Sequence, residues 1–393
     1  TTEIYTLSLH DALPISLGGD NGIGAALMLA LMEEESQCGK LELLFTINEE
    51  VGMDGARGLT PEFVTGQTLI NLDTEDWGEI YISCAGGGDS VVSLPLERKA
   101  PEDAYVPMEI VLTGLKGGHS GCDIHLGRGS ANKLIGRMLK ATGIPIVLRS
   151  LHGGNKRNSI SDGAKAWIDV PAAKKETFVQ EFNKQSEIVK QELSNTDPGF
   201  KAIVQDAPEE AKKLTPCTKA VTEKVIDLLC ALPQGIIAMS PQVPGLVQTS
   251  TNMGVIGTEE NKFMVAILSR SAVDSEVDAT KLQIKTIASM AGASVEEPIG
   301  YPGWKPNMAS NLLQITKKTY TDLYKEEPKI KAIHAGLECG LFAAKFPNMD
   351  MVSIGPTVKH PHTPDEEVHI PTVSKSYDFL KAVLKSAASQ IAV

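Results

Sequence analysis

Residues 41–52, LELLFTINEEVG, carry an apolar run that stops on two adjacent carboxylates, Glu49 and Glu50. Leu41, Leu43, Leu44, Phe45 and Ile47 predict a buried strand of an α/β sheet. Such sheets bind ligands at the carboxyl ends of their strands. Two acids placed there can divide the labour, one holding a metal and the other moving a proton. A lone Glu pair opening an exposed loop has no such meaning, because acids are normally solvated. Here the pattern recurs, and the recurrence constrains the chain. Residues 68–72, TLINL, are another apolar run and end on Asp73. Residues 351–355, MVSIG, are a further one, followed by PTVKHPHTPDE with His360 and His362. The glycine-rich turn at residues 18–24 presents Asp20 just ahead of AALMLALMEEE, a strong helix former. That turn is not a phosphate loop. No Gly-Lys-Ser/Thr follows, and its Asp would repel phosphate. One turn and three strand ends thus deliver Asp20, Glu49, Glu50, Asp73 and a histidine. This hard-oxygen and imidazole set suits zinc, manganese or cobalt. Two metals sharing one carboxylate would make a co-catalytic hydrolase site.

The rest of the chain narrows the setting. Its 393 residues leave room for two or three domains. A net charge of −12, with no long basic run, argues against nucleic acid as a partner. No apolar stretch approaches the ~20 residues of a membrane span. Cys38, Cys84, Cys122, Cys217, Cys230 and Cys339 are scattered without a CxxC pair. They predict reduced thiols in a cytoplasmic protein, not a disulfide framework. Residues 1–16 show no signal-peptide design and resemble a translated sequencing-adapter string. They carry no fold expectation, and His10 and Asp11 are treated as accidents.

The expected architecture is an α/β domain with a mostly parallel sheet, built from residues 17–88 and 301–393. Residues 89–300 form an α+β insertion of antiparallel texture. Strands are predicted at 106–115 and 166–170, and helices at 129–141, 174–193, 217–232 and 279–291. Residues 247–258 and 263–271 predict a hairpin around 259–261. Residues 205–215 are charged and predict a surface loop or helix end. The α/β pattern resumes with helices at 311–324 and 337–345, strands at 329–334 and 351–355, and a last helix at 374–391.

Taken in order, Gly19-Asp20-Asn21-Gly22, Thr46-Ile47-Asn48-Glu49-Glu50, Asn71-Leu72-Asp73, Gly117-Gly118-His119-Ser120-Gly121 and His362-Thr363-Pro364-Asp365 resemble a known family. It is that of the di-zinc exopeptidases related to carboxypeptidase G and the aminoacylases. KGGHSG, HAGLECG at residues 334–340, YPGW and SIGP resemble its carnosinase-like Xaa-His dipeptidase subgroup. The likeness runs from Leu17 to the end of the chain. It implies a zinc-exopeptidase domain with an inserted lid and dimerisation domain, two zinc ions (or cobalt or manganese), a small peptide substrate and a homodimer.

The resemblance also implies roles. Asp20 would bridge the two zincs, Glu50 and His362 would complete one, and Asp73 would bind the other. Glu49 would be the general base. His119 would steady the tetrahedral oxyanion, in dimeric members at a neighbouring subunit's site. Arg270 and Asn158 would hold the substrate's terminal carboxylate, and Glu338 its amino end. The chemistry is coherent without the family. A zinc-bound water reaches a pKa near ~7, an acid beside a ligand acid can take its proton, and an Arg fork suits a free carboxylate.

Bland readings stand beside these: His119 as a loop histidine between glycines, Arg270 as a surface ion pair, His125 and His360 as structural or exposed. His152 and His334 receive no role. The family's upstream His-x-Asp, which supplies one further zinc ligand, has no counterpart before Asp20. The expectation is therefore an N-terminally truncated chain of low activity. The alternatives are an N-acyl amino acid amidohydrolase of the same chemistry and a non-catalytic, dimeric metal-binding protein.

Overall fold

The computed structural model describes residues 17–34, 38–100, 104–361 and 365–390, apart from the side chains of Glu50 and Val51. Backbone contacts divide the chain into two units. Unit 1 comprises Thr1–Cys84, Trp304–Ala332 and Leu337–Val393; unit 2 comprises Ala85–Gly303 and Ile333–Gly336. The chain is α/β in class.

Unit 1 is built on a four-stranded sheet in the order Thr68–Asn71, Asp350–Ser353, Glu79–Cys84, Lys329–Ile333. The first two strands pair in parallel, Thr68 opposite Asp350 and Asn71 opposite Ser353. Ser353 faces Tyr81 in antiparallel sense, so the sheet is mixed. Its core joins Ile80, Ile82 and Val352 of the sheet to Leu27 and Leu31 of helix Gly19–Glu33. Leu312 and Leu313 of helix Asn311–Tyr324 and Phe379, Leu380 and Val383 of helix Ile370–Gln390 close it. Trp77, Tyr320, Tyr324 and Phe379 interlock there with ring centroids 4.9–6.4 Å apart. Helix Asn311–Tyr324 starts where it does because Ser310 Oγ accepts the Leu313 N–H at 2.9 Å. Asp350 Oδ2 takes the Leu312 N–H at the same distance, tying the helix start to the sheet.

Unit 2 is built on a nine-stranded sheet whose strand pairings, among the described residues, are antiparallel. Its centre is the predicted hairpin, Val247–Thr258 against Lys262–Ser271. The Lys262 carbonyl accepts the Glu259 N–H at 2.8 Å and closes the turn. Helices Ala131–Ala141, Lys175–Glu192, Lys219–Ala231 and Asp274–Ala291 pack against this sheet. Their apolar stripes bury Ile135, Phe178, Phe182, Val225 and Ile284 against Ile110, Ile168, Phe263 and Val265.

Four expectations are corrected. Residues 41–47 form no strand. They run without a ladder partner among the described residues, and a cavity of about 620 Å³ lies between them and strand Thr68–Asn71. Strand propensity is realised only against a neighbour, and this run has none. Glu79–Cys84 and Gly86–Pro95 are strands that the sequence did not disclose. The second opens on three glycines, residues normally depleted in strands. Gly87 is there because the Tyr301 ring lies over it: a β-carbon would come within 2.6 Å. Lys201–Asp206 is a strand where a charged loop was expected from residue 205. It is the sheet's edge and its residues are mostly exposed, which removes the apolar signal. Residues 333–336 belong by contact to unit 2, outside the insertion boundaries expected from sequence. The Ala85 N–H lies 3.1 Å from the Ile333 carbonyl and 2.9 Å from that of Ala335.

Candidate active site

In unit 1 the acids gather around the 620 Å³ cavity, which is lined by Glu49, Asp73 and Glu338 with Asn21 and Thr46. Asp73 follows strand Thr68–Asn71, at the carboxyl end where α/β sheets place their chemistry. Asn71, two residues earlier, donates to Ser353 Oγ at 2.9 Å and fixes the register that aims it. Glu49 and Glu50 open the short helix Glu49–Gly52, entered through Asn48 at φ 55°. An Asn tolerates that left-handed turn better than most residues. Glu49 is half-buried.

Glu338 is buried, with 8% of its surface exposed. Thr46 donates to its Oε2 at 2.8 Å, while its Oε1 is buried without a hydrogen bond. Burial raises its pKa, with the Thr46 hydroxyl opposing. A carboxyl group with one unused oxygen, on a residue that lines the cavity, can receive a ligand's donor.

Asp20 lies in the first turn of helix Gly19–Glu33, but it and Asn21 have non-helical dihedrals, and the peptide between them is cis. A residue the sequence reading missed holds this turn. Glu366, 7% exposed, accepts the Gly18 N–H at 2.8 Å and the Asp20 N–H at 2.9 Å, one on each oxygen. A β-carbon on Gly19, between them, would collide with Val368 Cγ2. The only sequence signal for Glu366 is its place directly after His-Thr-Pro-Asp.

Of the four metal ligands expected, Asp20 and Asp73 are described. His362 lies outside the described residues, and the side chain of Glu50 is likewise not described. Among the described residues no three His, Cys, Asp or Glu side chains converge to hold a metal ion. What is described is therefore short of the three or four ligands a zinc site uses.

Unit 2 gathers a second, cationic and aromatic group. His119 lies on the two-residue strand Gly118–His119, paired with Ser159–Ile160. Its backbone N–H donates to Asp123 Oδ2 at 2.9 Å. Its Nδ1 accepts the Cys122 N–H at 3.0 Å and the Gly121 N–H at 3.3 Å. With Nδ1 accepting, the neutral ring carries its proton on Nε2 and donates from there. That is the tautomer an oxyanion requires. Asn158 is exposed beside it, its carbonyl accepting the Ser120 N–H at 2.8 Å.

Arg270 ends the strand Lys262–Ser271 and is 4% exposed, which excludes the surface ion pair. Its guanidinium donates to the Tyr301 hydroxyl at 2.7 Å, and its Nε is buried without a hydrogen bond. His334, left without a role by the sequence, lies in the same group. Its Nε2 is 2.7 Å from Ser250 Oγ. Burial, then the Arg270 cation and His119, push its pKa down to about 3, so the ring is neutral. Gly121 sits against the His334 carbonyl and the His119 ring, where a side chain would not fit. The HAGLECG run was a pointer to His334 and Glu338. Ser250 had none, being one small residue inside a long strand.

The chain as a whole has known counterparts. The family model for "Peptidase family M20/M25/M40" matches residues 18–386. The cytosol non-specific dipeptidase of Escherichia coli is 40% identical over 373 residues, which covers 94% of this chain and 76% of that protein. The crystal structure of aminoacylhistidine dipeptidase from Vibrio alginolyticus superposes with a TM-score of 0.89 at 42% identity. That match covers 95% of this chain and 76% of the other.

Proposed function

Because the chain belongs to peptidase family M20/M25/M40, we propose that it hydrolyses dipeptides in the cytoplasm, with Xaa-His among its substrates. The observation that carries the exopeptidase reading is Arg270. Among the described residues no acid is hydrogen-bonded to this buried guanidinium, and Asp89, which attracts it from the adjoining strand, is bonded to Arg157 at 2.6 Å. A cation withdrawn from water without a directly bonded counter-charge is costly, and the free carboxylate of a short peptide would supply that bonded partner through a forked pair. Asn158 is the second group proposed to hold that carboxylate. Glu338, with its unused oxygen, is proposed to receive the amino end.

The bond-breaking step needs a proton acceptor near the attacking water and a donor for the developing oxyanion. Glu49, half-buried at a helix start, is proposed to take the proton and return it to the leaving amine. His119, donating from Nε2, is proposed to stabilise the oxyanion, in a homodimer at the neighbouring copy's site. Metal dependence is general to this family. Two zinc ions, or cobalt or manganese, are proposed to be held by Asp20, Glu50, Asp73 and His362. Such an ion, when bound, supplies a water that loses its proton near neutral pH. The described ligands fall short of a full set, so no step here is carried through it.

The test is hydrolysis of Ala-His, carnosine, N-acetyl-histidine and Ala-His amide, each with zinc, manganese or cobalt and with a chelator. The reading expects the free dipeptides to be cleaved in preference to the amide, and the chelator to stop it. Cleavage of N-acetyl-histidine alone would replace the dipeptidase with a deacylase. No cleavage together with no bound metal would favour a non-catalytic protein.

A further inference from the structure

The YPGW run has so far no task. Its tyrosine is joined to Arg270 through a fixed register. Arg270 lies opposite Gly87 on the neighbouring strand. Gly87 and Tyr301 exchange two backbone hydrogen bonds, each 2.9 Å. The Tyr301 ring is confined between two glycines: a β-carbon would come within 2.6 Å of it at Gly87 and 2.9 Å at Gly336. Packing this close leaves the phenol oxygen little freedom. That oxygen accepts the Arg270 Nη1–H at 2.7 Å.

The chemistry of the acceptor matters. A carboxylate at this position would orient the guanidinium and also cancel its charge. A phenol is a neutral acceptor, so it orients without cancelling. Asp89, the acid diagonal to Arg270 on the adjoining strand, attracts the guanidinium but gives its hydrogen bond to Arg157, at 2.6 Å. Arg270 keeps a buried Nε with no hydrogen bond. Among the described residues the fork is therefore aimed by a neutral acceptor, with no carboxylate hydrogen-bonded to it.

We infer that Tyr301 is a positioning residue for Arg270, and that its phenol oxygen sets the selectivity for ligands with a free carboxylate over ligands with a neutral end. This rests on the proposed role of Arg270 in binding that carboxylate. The same group would be pre-organised before any ligand arrives, which lowers the ordering cost of binding.

The experiment measures binding of Ala-His and of Ala-His amide to the chain by calorimetry, and takes the ratio of the two dissociation constants. Three variants are compared with the parent: Arg270→Ala, Tyr301→Phe and Gly336→Ala. The last keeps the hydroxyl but pushes the ring. Tyr301→Phe is expected to shrink the preference for the free carboxylate about tenfold, roughly 1.4 kcal/mol, while amide binding stays put. Gly336→Ala is expected to act in the same direction, and carries the test if the phenylalanine variant does not fold. A purely structural tyrosine would weaken both ligands alike or lower the melting temperature without moving the ratio. If Arg270→Ala erases the preference and neither ring variant changes it, the tyrosine inference is overturned and the arginine reading survives. If Arg270→Ala also leaves the ratio unchanged, the arginine reading itself falls.

Discussion

Replacing His334 with glutamine tests whether unit 2 holds a histidine that cannot accept a proton. The ring is 7% exposed, with Ser250 Oγ at 2.7 Å and the Arg270 cation and His119 as its charged or titratable neighbours. Together these hold its pKa at about 3, against an ordinary value of 6.5. Below 6.5 the unfolded chain takes up a proton that the native chain refuses. The unfolded state then binds more protons, so stability is complete above 6.5 and is lost as pH falls towards 3. The loss is roughly 1.4 kcal/mol for each pH unit, or about 2.5 kcal/mol by a pH near 4.5. Glutamine offers an amide near the position of Nε2 and has no proton to refuse. Every other titrating group is common to both proteins and cancels in the difference. Urea unfolding of the parent and of His334→Gln, at a neutral pH and near pH 4.5, gives that difference directly. Whatever gap separates them at neutral pH should shift by about 2.5 kcal/mol against the parent on acidification. Curves that stay parallel would mean that His334 titrates as it does in water, and the account of the cluster would be wrong.

Three further outcomes follow from named contacts. Glu338→Gln removes a buried carboxylate whose pKa is raised by burial. It should raise thermal stability at neutral pH by about 1 kcal/mol, an advantage that shrinks as acid neutralises the parent's carboxyl, while hydrolysis of dipeptides falls. Glu366→Ala leaves the Gly18 and Asp20 amides without their acceptor. Two lost amide partners should lower unfolding free energy by about 2 kcal/mol or more in a denaturant titration. Gly121→Ala drives a methyl group into the His334 carbonyl. The backbone must move, and a drop of roughly 1–3 kcal/mol is expected in the same titration. An unchanged midpoint would show that the glycine is not there for space.

Much of the architecture was legible because it rests on local rules. The hairpin at 247–271 announced itself by β-rich flanks around a polar turn, and it is central to the large sheet. The helices at 131–141, 175–192, 219–231 and 311–324 followed from apolar spacing that any isolated helix would share. The acids at the ends of apolar runs were visible as a repeated pattern, and of these Glu49 and Asp73 line one cavity. What failed was of another kind. Residues 41–47 have strand composition but no strand, because a ladder needs a partner and composition does not supply one. Gly86–Gly87–Gly88 have loop composition yet belong to a strand, because the Tyr301 ring occupies the space their side chains would need at Gly87.

The sequence by itself determined residue types, local periodicity and the order of motifs, and these sufficed for the class of fold and the family. Only the tertiary structure decided that the buried His334, Arg270 and Ser250 share one group with the half-buried Tyr301, and that Glu366 holds the Asp20 turn from 346 residues away. Hydrogen bonds and burial between distant segments depend on how sheets register and pack, and no window along the chain encodes that distance.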